Sequence, residues 1–325
     1  MLSEDQQDTA EKPPAASGDV HVGRDGWLFL TGGRNRVLEQ YGRPGFSRKA
    51  LWQWRCHLAE RVRRSARLGA AYLHVVAPEK LTIYYDAVDG LAFDPQRAPA
   101  LRLRRWLRGS TGARASVDLV GPMRAARWKA PLYRRTDSHW TFAGGELAYR
   151  TLLAGLGVAP RDDIAGRRQG EALPFTGDLG TKLAPMPVET AEACRFDSRA
   201  RRIHANGLLT HFEALGRPLD AHIGAHAVFR NDDPAADPRR LVLFGDSYAQ
   251  HRAMNATASL TPFLADTFRE VHFLWSTSLD WDYLAEIRPD FVISEIAERF
   301  MIDLPVSNMR IESLARLALA RKADA

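Results

Sequence analysis

The chain has 325 residues, 45% of them hydrophobic and 26% charged. At roughly 150 residues per domain this length admits two domains or one large α/β domain with an insertion. The ordinary globular balance excludes collagen-like, coiled-coil and wholly disordered chains. The formal charge is +6, from 45 Lys and Arg against 39 Asp and Glu, and all but six of the basic residues are Arg. Such a balance suits an enzyme of an acidic polymer or a nucleic-acid binder, and it also arises from a plain lean toward Arg and Ala. No zinc-finger spacing and no aromatic RNA-binding signature is present, so no nucleic-acid partner is expected.

Residues 1–20 are polar, with Pro13, Pro14 and Gly18, and read as a disordered tail. They contain neither a basic n-region nor an apolar h-region. A cytoplasmic location is therefore expected from this chain, with a removed leader as the alternative. The apolar runs at 241–244 and 291–293 are too short to span a bilayer. Cys56 and Cys194 allow one disulfide arithmetically but make no disulfide framework.

Order is expected from about residue 22. Asp25-Gly26 is a turn signal beside a short apolar strand at 27–30. Ser47 is placed to cap a helix running to about Arg67, with Leu51, Trp54, Leu58, Val62 and Ser65 on one face and the arginines in solvent. The apolar run 71–78 reads as a buried strand. An Arg-rich helix near 97–108, a strand at 115–120 and a short helix opening at Pro122 follow. Thr141 caps a helix that ends near Gly157. Residues 158–238 lose the alternation and are read as a peripheral insertion, irregular or β-rich. Strands return at 241–245, 271–275 and 289–296, with a short helix at 281–287 and a last helix to the C-terminus. The alternation predicts a largely parallel sheet with helices on both faces, one domain over 21–325.

The sharpest local signal is Leu241-Val-Leu-Phe-Gly-Asp-Ser-Tyr248. A strand enters Gly-Asp-Ser, and a helical stretch is expected after it. In open α/β sheets ligands bind at the carboxyl ends of strands. Gly245 permits a tight turn, and the backbone N–H of Ser247 can face an oxyanion. The alternative role for Ser247 is a helix N-cap. A serine nucleophile needs a base, and the base needs an orienting acid. Asp137-Ser138-His139 supplies both, because Asp-x-His sets two side chains on one side of an extended segment; a capping aspartate and a surface histidine are the alternative.

Gly-Asp-Ser after a strand resembles the nucleophile block of SGNH hydrolases, but here Asp-x-His precedes the serine. That order, with GRDGWLFL, PEKLTIYY, TDSHWTFAGGE, FTGDLG, LVLFGDSY and PDFVISEIAERF, resembles the SGNH-like domain of the alginate O-acetyltransferase AlgX/AlgJ family, from about Val22 to about Leu304. The resemblance implies a circularly permuted SGNH fold and exopolysaccharide O-acetylation. It implies an acetyl-enzyme on Ser247, with His139 as base and Asp137 as its orienter. It also implies a polysaccharide substrate and a membrane-bound O-acyltransferase partner that delivers acetyl, and a periplasmic location. An acetyl donor is needed, and no bound cofactor is expected.

Weaker candidates surround this set. Lys80 follows a strand at the presumed active edge, where it can bind a sugar, orient the catalytic loop or form a salt bridge. Arg299 can bind substrate or pair with a buried carboxylate. Trp27, Trp140 and Tyr248 are candidates for stacking on sugar rings, or core. His222 and His226 have helical metal-ligand spacing, but no helix pattern or third ligand accompanies them, so no metal is expected. An esterase using the same three residues, or a glycan-binding protein of a polymer-export system, is the competing function.

Overall fold

The computed structural model describes residues 18–42, 45–253 and 256–323. The tail expected at 1–20 lies almost wholly outside the described residues, and structure begins earlier than expected, with Val20 already in a strand. In chain order the elements are β1 (Val20–Val22), β2 (Leu28–Leu30), α1 (Arg48–Arg67), β3 (Ala71–Ala77), α2 (Lys80–Ile83), α3 (Pro99–Leu107), α4 (Thr111–Ala115), β4 (Ser116–Val117), α5 (Val120–Ala126), α6 (Phe142–Leu156), β5 (Leu173–Phe175), β6 (Glu189–Ala191), β7 (Ala200–Ala205), α7 (Gly207–Ala214), β8 (His226–Asn231), β9 (Asp237–Gly245), α8 (Leu260–Thr267), β10 (Phe268–Trp275), α9 (Trp281–Ile287), β11 (Phe291–Ala297) and α10 (Ile311–Ala323).

One seven-stranded sheet, in the order β4-β3-β11-β9-β10-β8-β7, organises the molecule. The five strands from β4 to β10 are parallel, so their C-terminal ends lie along one edge. Their near-continuous apolar sequences follow from cover on both faces. On one side α1 presses Leu51, Trp54 and Leu58 into a cluster with Val242, Phe244 and Val292. On the other, Tyr149, Leu152 and Leu153 of α6 meet Leu241, Leu243 and Ile293.

The caps act where the sequence puts them. The Ser47 hydroxyl accepts the Ala50 N–H at 3.1 Å, and Thr141 accepts the Gly144 N–H at 3.2 Å. Gly157 ends α6 in the left-handed region at φ 66°. The arginines of α1 are not all solvated, however. Arg61 is buried and donates to the Thr277 carbonyl at 2.6 Å, next to the site described below. Cys56 is exposed and Cys194 buried, and both are free thiols.

The stretch 158–238 requires a correction. It is not wholly a peripheral insertion, because β7 and β8 complete the central sheet, antiparallel beyond β10. The strand signal was hidden because β7 is an edge: Arg201 and Arg202 face solvent, and a register shift between Arg202 and His204 breaks the period-2 pattern. The part before β7, with β5 and β6 as a small antiparallel pair, and the segment carrying α7 between β7 and β8 lie outside the sheet. No helix among the described residues is long and apolar enough to cross a membrane.

Candidate active site

Three segments meet at the C-terminal edge of the sheet. Ser247 follows β9. His139 and Asp137 sit on the loop between α5 and α6, and Asp178 on the segment between β5 and β6. The Ser247 Oγ lies 2.8 Å from Nε2 of His139. The His139 Nδ1 lies 2.7 Å from Oδ1 of Asp137, which also accepts the His139 backbone N–H at 2.7 Å. The second Asp137 oxygen accepts the Asp178 N–H at 2.9 Å. Two residues 108 positions apart in sequence are thus in direct hydrogen-bond contact.

The electrostatics follow from these contacts. Burial pushes the Asp137 carboxyl up, but the facing imidazole and the hydrogen bonds it accepts outweigh that and hold it well below the usual carboxylate range. Burial pulls His139 down, yet Asp137, and Asp178 behind it, leave its pKa raised. The result is an ionised carboxylate holding an imidazole whose other nitrogen faces a hydroxyl, which is the arrangement for proton removal from that hydroxyl. Asp137, His139 and Asp178 also cluster closely enough to offer one ligand atom each. In the structure these groups are engaged with one another, with Ser138 and, through the His139 Nε2, with Ser247.

Asp178 was not singled out from sequence, although it stands inside the FTGDLG block. Its carboxylate accepts the Ser138 N–H at 2.7 Å and the Ser138 hydroxyl at 2.6 Å, so it braces the loop from behind. Gly177 makes this approach possible: a Cβ there would lie 2.2 Å from the Asp137 Cβ. Gly177→Ala must therefore displace the Asp-His loop. Displacements of about 1 Å can cost roughly 10²-fold in rate. The expected result is a loss of ester turnover near that size with the far-UV spectrum retained, and wild-type turnover in the variant would refute the bracing role.

The nucleophile turn differs from expectation in one respect. No helix follows Ser247; residues 247–249 form a turn. The reason is that the carbonyls of Tyr248 and Ala249, which a helix would direct at residues 252 and 253, are taken by the Leu260 N–H and the Thr261 hydroxyl. The N–H groups beside Ser247 therefore belong to a turn rather than to a helix terminus. Gly245 is required at the entry, since a Cβ would lie 2.4 Å from the Ala249 Cβ and 2.8 Å from Oε2 of Glu295. Asp246 then pins the turn by accepting the N–H groups of Tyr248 and Ala297.

Lys80, Trp140, Tyr248 and Arg299 are all buried behind the site, which corrects their reading as substrate contacts and fits the alternatives given for them: loop orientation for Lys80, core for Trp140 and Tyr248, and a carboxylate pair for Arg299. A stacking or binding group must present a free face, and these do not. Lys80 donates to the carbonyls of Arg134 and Arg135 at 2.8 and 3.0 Å, holding the entry to the Asp-His loop; burial draws its ammonium down to about 8. Tyr248 donates to the Ser138 carbonyl at 2.6 Å, and the Trp140 ring lies 4.7 Å from the Tyr248 ring. Arg299 pairs with buried Glu79 at 2.9 Å. Trp27 stacks on Tyr84 at 4.3 Å. Of these, Lys80 and Tyr248 bond directly to the segment that carries Asp137 and His139.

His222 and His226 part company. His222 stacks on Trp275 at 5.0 Å and lines the cleft in front of Ser247. His226, on β8, bonds to the Tyr283 hydroxyl at 2.9 Å and lines a different hollow with His204 and His272. They do not form a ligand pair.

A mostly parallel sheet flanked by helices, with Ser, His and Asp joined at its C-terminal edge, defines an α/β protein of the SGNH-like class. Residues 20–205 match the family described as SGNH hydrolase-like domain, acetyltransferase AlgX, and the chain belongs to that family. The match includes Asp137 and His139 and ends before Ser247. The chain is similar to the probable alginate O-acetylase AlgJ of Pseudomonas putida, 24% identical over 94% of this chain and 76% of that protein. Among solved structures, the O-acetyltransferase domain of Pseudomonas putida AlgJ superposes with a TM-score of 0.57 at 16% identity, covering 93% of this chain and 99% of that one. A DHHW family protein from Eubacterium siraeum gives 0.60 at 16% identity over 90% and 95%. At such identities the superpositions speak for the fold alone.

Proposed function

We propose that this protein moves acetyl groups onto polysaccharide hydroxyls through an acetyl-Ser247 intermediate, on a circularly permuted SGNH scaffold. The observation that carries the reading is the hydrogen-bonded chain Ser247–His139–Asp137 in a member of the AlgX family. The Ser247 Oγ attacks the acetyl carbonyl while Nε2 of His139 takes its proton. The tetrahedral oxyanion is held by the N–H of Ser247, and the departing alcohol takes the proton back from His139. A sugar hydroxyl then attacks the acetyl-serine, giving its proton to His139, and Ser247 recovers that proton as it leaves. Kinship with proteins called alginate O-acetylases supports a polysaccharide acceptor. In this reading the protein works outside the cytoplasm, and a membrane-bound O-acyltransferase supplies the acetyl group.

The test is incubation with an activated acetyl ester, with and without candidate glycans, followed by mass measurement of the products. A glycan heavier by acetyl groups upholds the transferase reading. Free acetate alone, unaffected by glycan, makes the protein an esterase. Neither product, with glycan still bound, makes it a binding protein.

The pH dependence follows from His139. The base must be neutral, and its pKa is raised by Asp137 and Asp178, so turnover should fall on acidification through that raised value. Asp178→Asn removes one negative charge that favours the imidazolium. The acid limb should then move to lower pH, and the pH profile of kcat/KM checks it. A limb that stays in place would remove Asp178 from the electrostatics of the base.

A further inference from the structure

Ser247 and His139 open onto a cleft of about 700 Å³. That is the size of a pocket for a drug-sized ligand and far exceeds what an acetyl group fills. Most of its exposed wall is apolar and comes from separate segments, Leu219 and Ile223 before β8, Trp275 at the end of β10, and Phe300, Leu304, Val306 and Met309 after β11, with Gln250 and residues 276–278 as a polar strip beside them. Ile223 and Val306 are each 60% exposed, Leu219 50% and Leu304 39%. Single exposed apolar residues are ordinary, but a contiguous group around a reactive hydroxyl marks a binding surface.

Charge is the second observation. In a chain so rich in arginine, no Lys or Arg lines this cleft among the described residues. Its acids are Asp246, spent on backbone N–H groups, and the exposed Asp303. An anionic carrier or a polyuronate lying here would find no guanidinium or ammonium, only the imidazoles of His139 and His222.

The walls are also preformed. The Trp281 indole and backbone N–H hold the 307–308 segment at 2.8 and 3.0 Å, and Met309 N–H reaches the Leu279 carbonyl at 3.2 Å. Gly224 N–H reaches the Trp275 carbonyl at 3.0 Å, and Arg61 holds the Thr277 carbonyl.

From these observations we infer that the acyl donor is an uncharged ester carrying an apolar chain, which lies in this cleft while its carbonyl faces Ser247. The inference rests on the reading of Ser247 as nucleophile. If the group moved is acetyl, the chain belongs to the departing alcohol; a chain on the acyl group would present the same chemistry to these walls and would replace acetyl with a longer acyl group as the group transferred.

Two ester series separate those sources: p-nitrophenyl esters from acetyl to octanoyl, and acetates of alcohols from methanol to octanol. In one series kcat/KM should rise about threefold or more per methylene over the first several carbons. Ile223→Glu combined with Val306→Glu, both at exposed positions, should flatten that slope. Calorimetric titration of the Ser247→Ala variant with p-nitrophenyl octanoate and octyl acetate reads the cleft apart from the chemistry, and one of them should bind more tightly than its acetyl or methyl counterpart. Flat or falling series with short esters still turned over, or no chain-length preference in the titration, would overturn the inference and leave the serine reading standing. Chain-dependent binding without turnover of any ester by the wild type would uphold the cleft and overturn that reading.

Discussion

Ser247→Ala should abolish ester turnover, by about 10³-fold or more, and leave unfolding nearly unchanged. The Oγ meets the imidazole of His139 at 2.8 Å, and no other hydroxyl in this constellation is placed for attack. The Ser138 hydroxyl is turned to Asp178. Members of such a set act as a unit, so losing the nucleophile should cost about as much as losing the base, with only a residue of activity left from oxyanion stabilisation and binding. The stability expectation separates the two roles of the serine. As a helix N-cap its loss would cost about 1 kcal/mol, but no helix follows it. Turnover of a chromogenic acetyl ester and the urea midpoint, measured on the same two proteins, decide the matter. Retained turnover with a lowered midpoint would return Ser247 to a structural role.

Arg299→Met should produce the largest loss of stability, about 3–5 kcal/mol. The guanidinium is buried against Glu79 at 2.9 Å and lies over the rings of Tyr248 and Phe300. Burial works against its charge, but Glu79 and the nearby acids keep it protonated. Removing it strands a buried carboxylate, which is the costly half of breaking such a pair. Glu298, buried next to it, is a second acid that accepts the Glu79 and Ala100 N–H groups and the Thr82 hydroxyl, so it offers no positive charge in place of Arg299. Arg299→Met with Glu79→Gln should recover part of the loss, because no unpaired charge remains. Denaturant unfolding of the two variants checks both statements, and a loss below about 1 kcal/mol in the single variant would mean that water reaches Glu79.

The expected consequences for function differ from those for a substrate contact. Glu79 and Arg299 follow β3 and β11, paired parallel strands on one side of β9, which leads to Ser247. A weakened pair should loosen the Tyr248 turn and lower turnover of every ester alike, without a change in acceptor preference.

How much was legible from sequence depends on the range of the forces involved. The helices at 48–67 and 142–156, their caps and the parallel core strands were readable because capping and apolar periodicity are local. The three residues that converge at the sheet edge, Asp137, His139 and Ser247, were readable because Gly-Asp-Ser and Asp-x-His are short motifs and the family blocks keep their order. What failed depended on distant partners. β7 and β8 lack a clean period because one is an edge with a register shift. The helix expected after Ser247 is absent because Leu260 and Thr261, beyond local reach, claim its carbonyls. Lys80, Trp140, Tyr248 and Arg299 are polar or aromatic residues near the site in sequence, yet they face inward, because only the packed sheet edge decides which side of a turn meets solvent. Asp178 and the apolar cleft belong to segments joined solely by tertiary contact. Sequence by itself thus determined the scaffold and which side chains meet at its edge. The tertiary structure decided which residues support those groups from behind and which surface a substrate meets, since both depend on contacts between segments far apart along the chain.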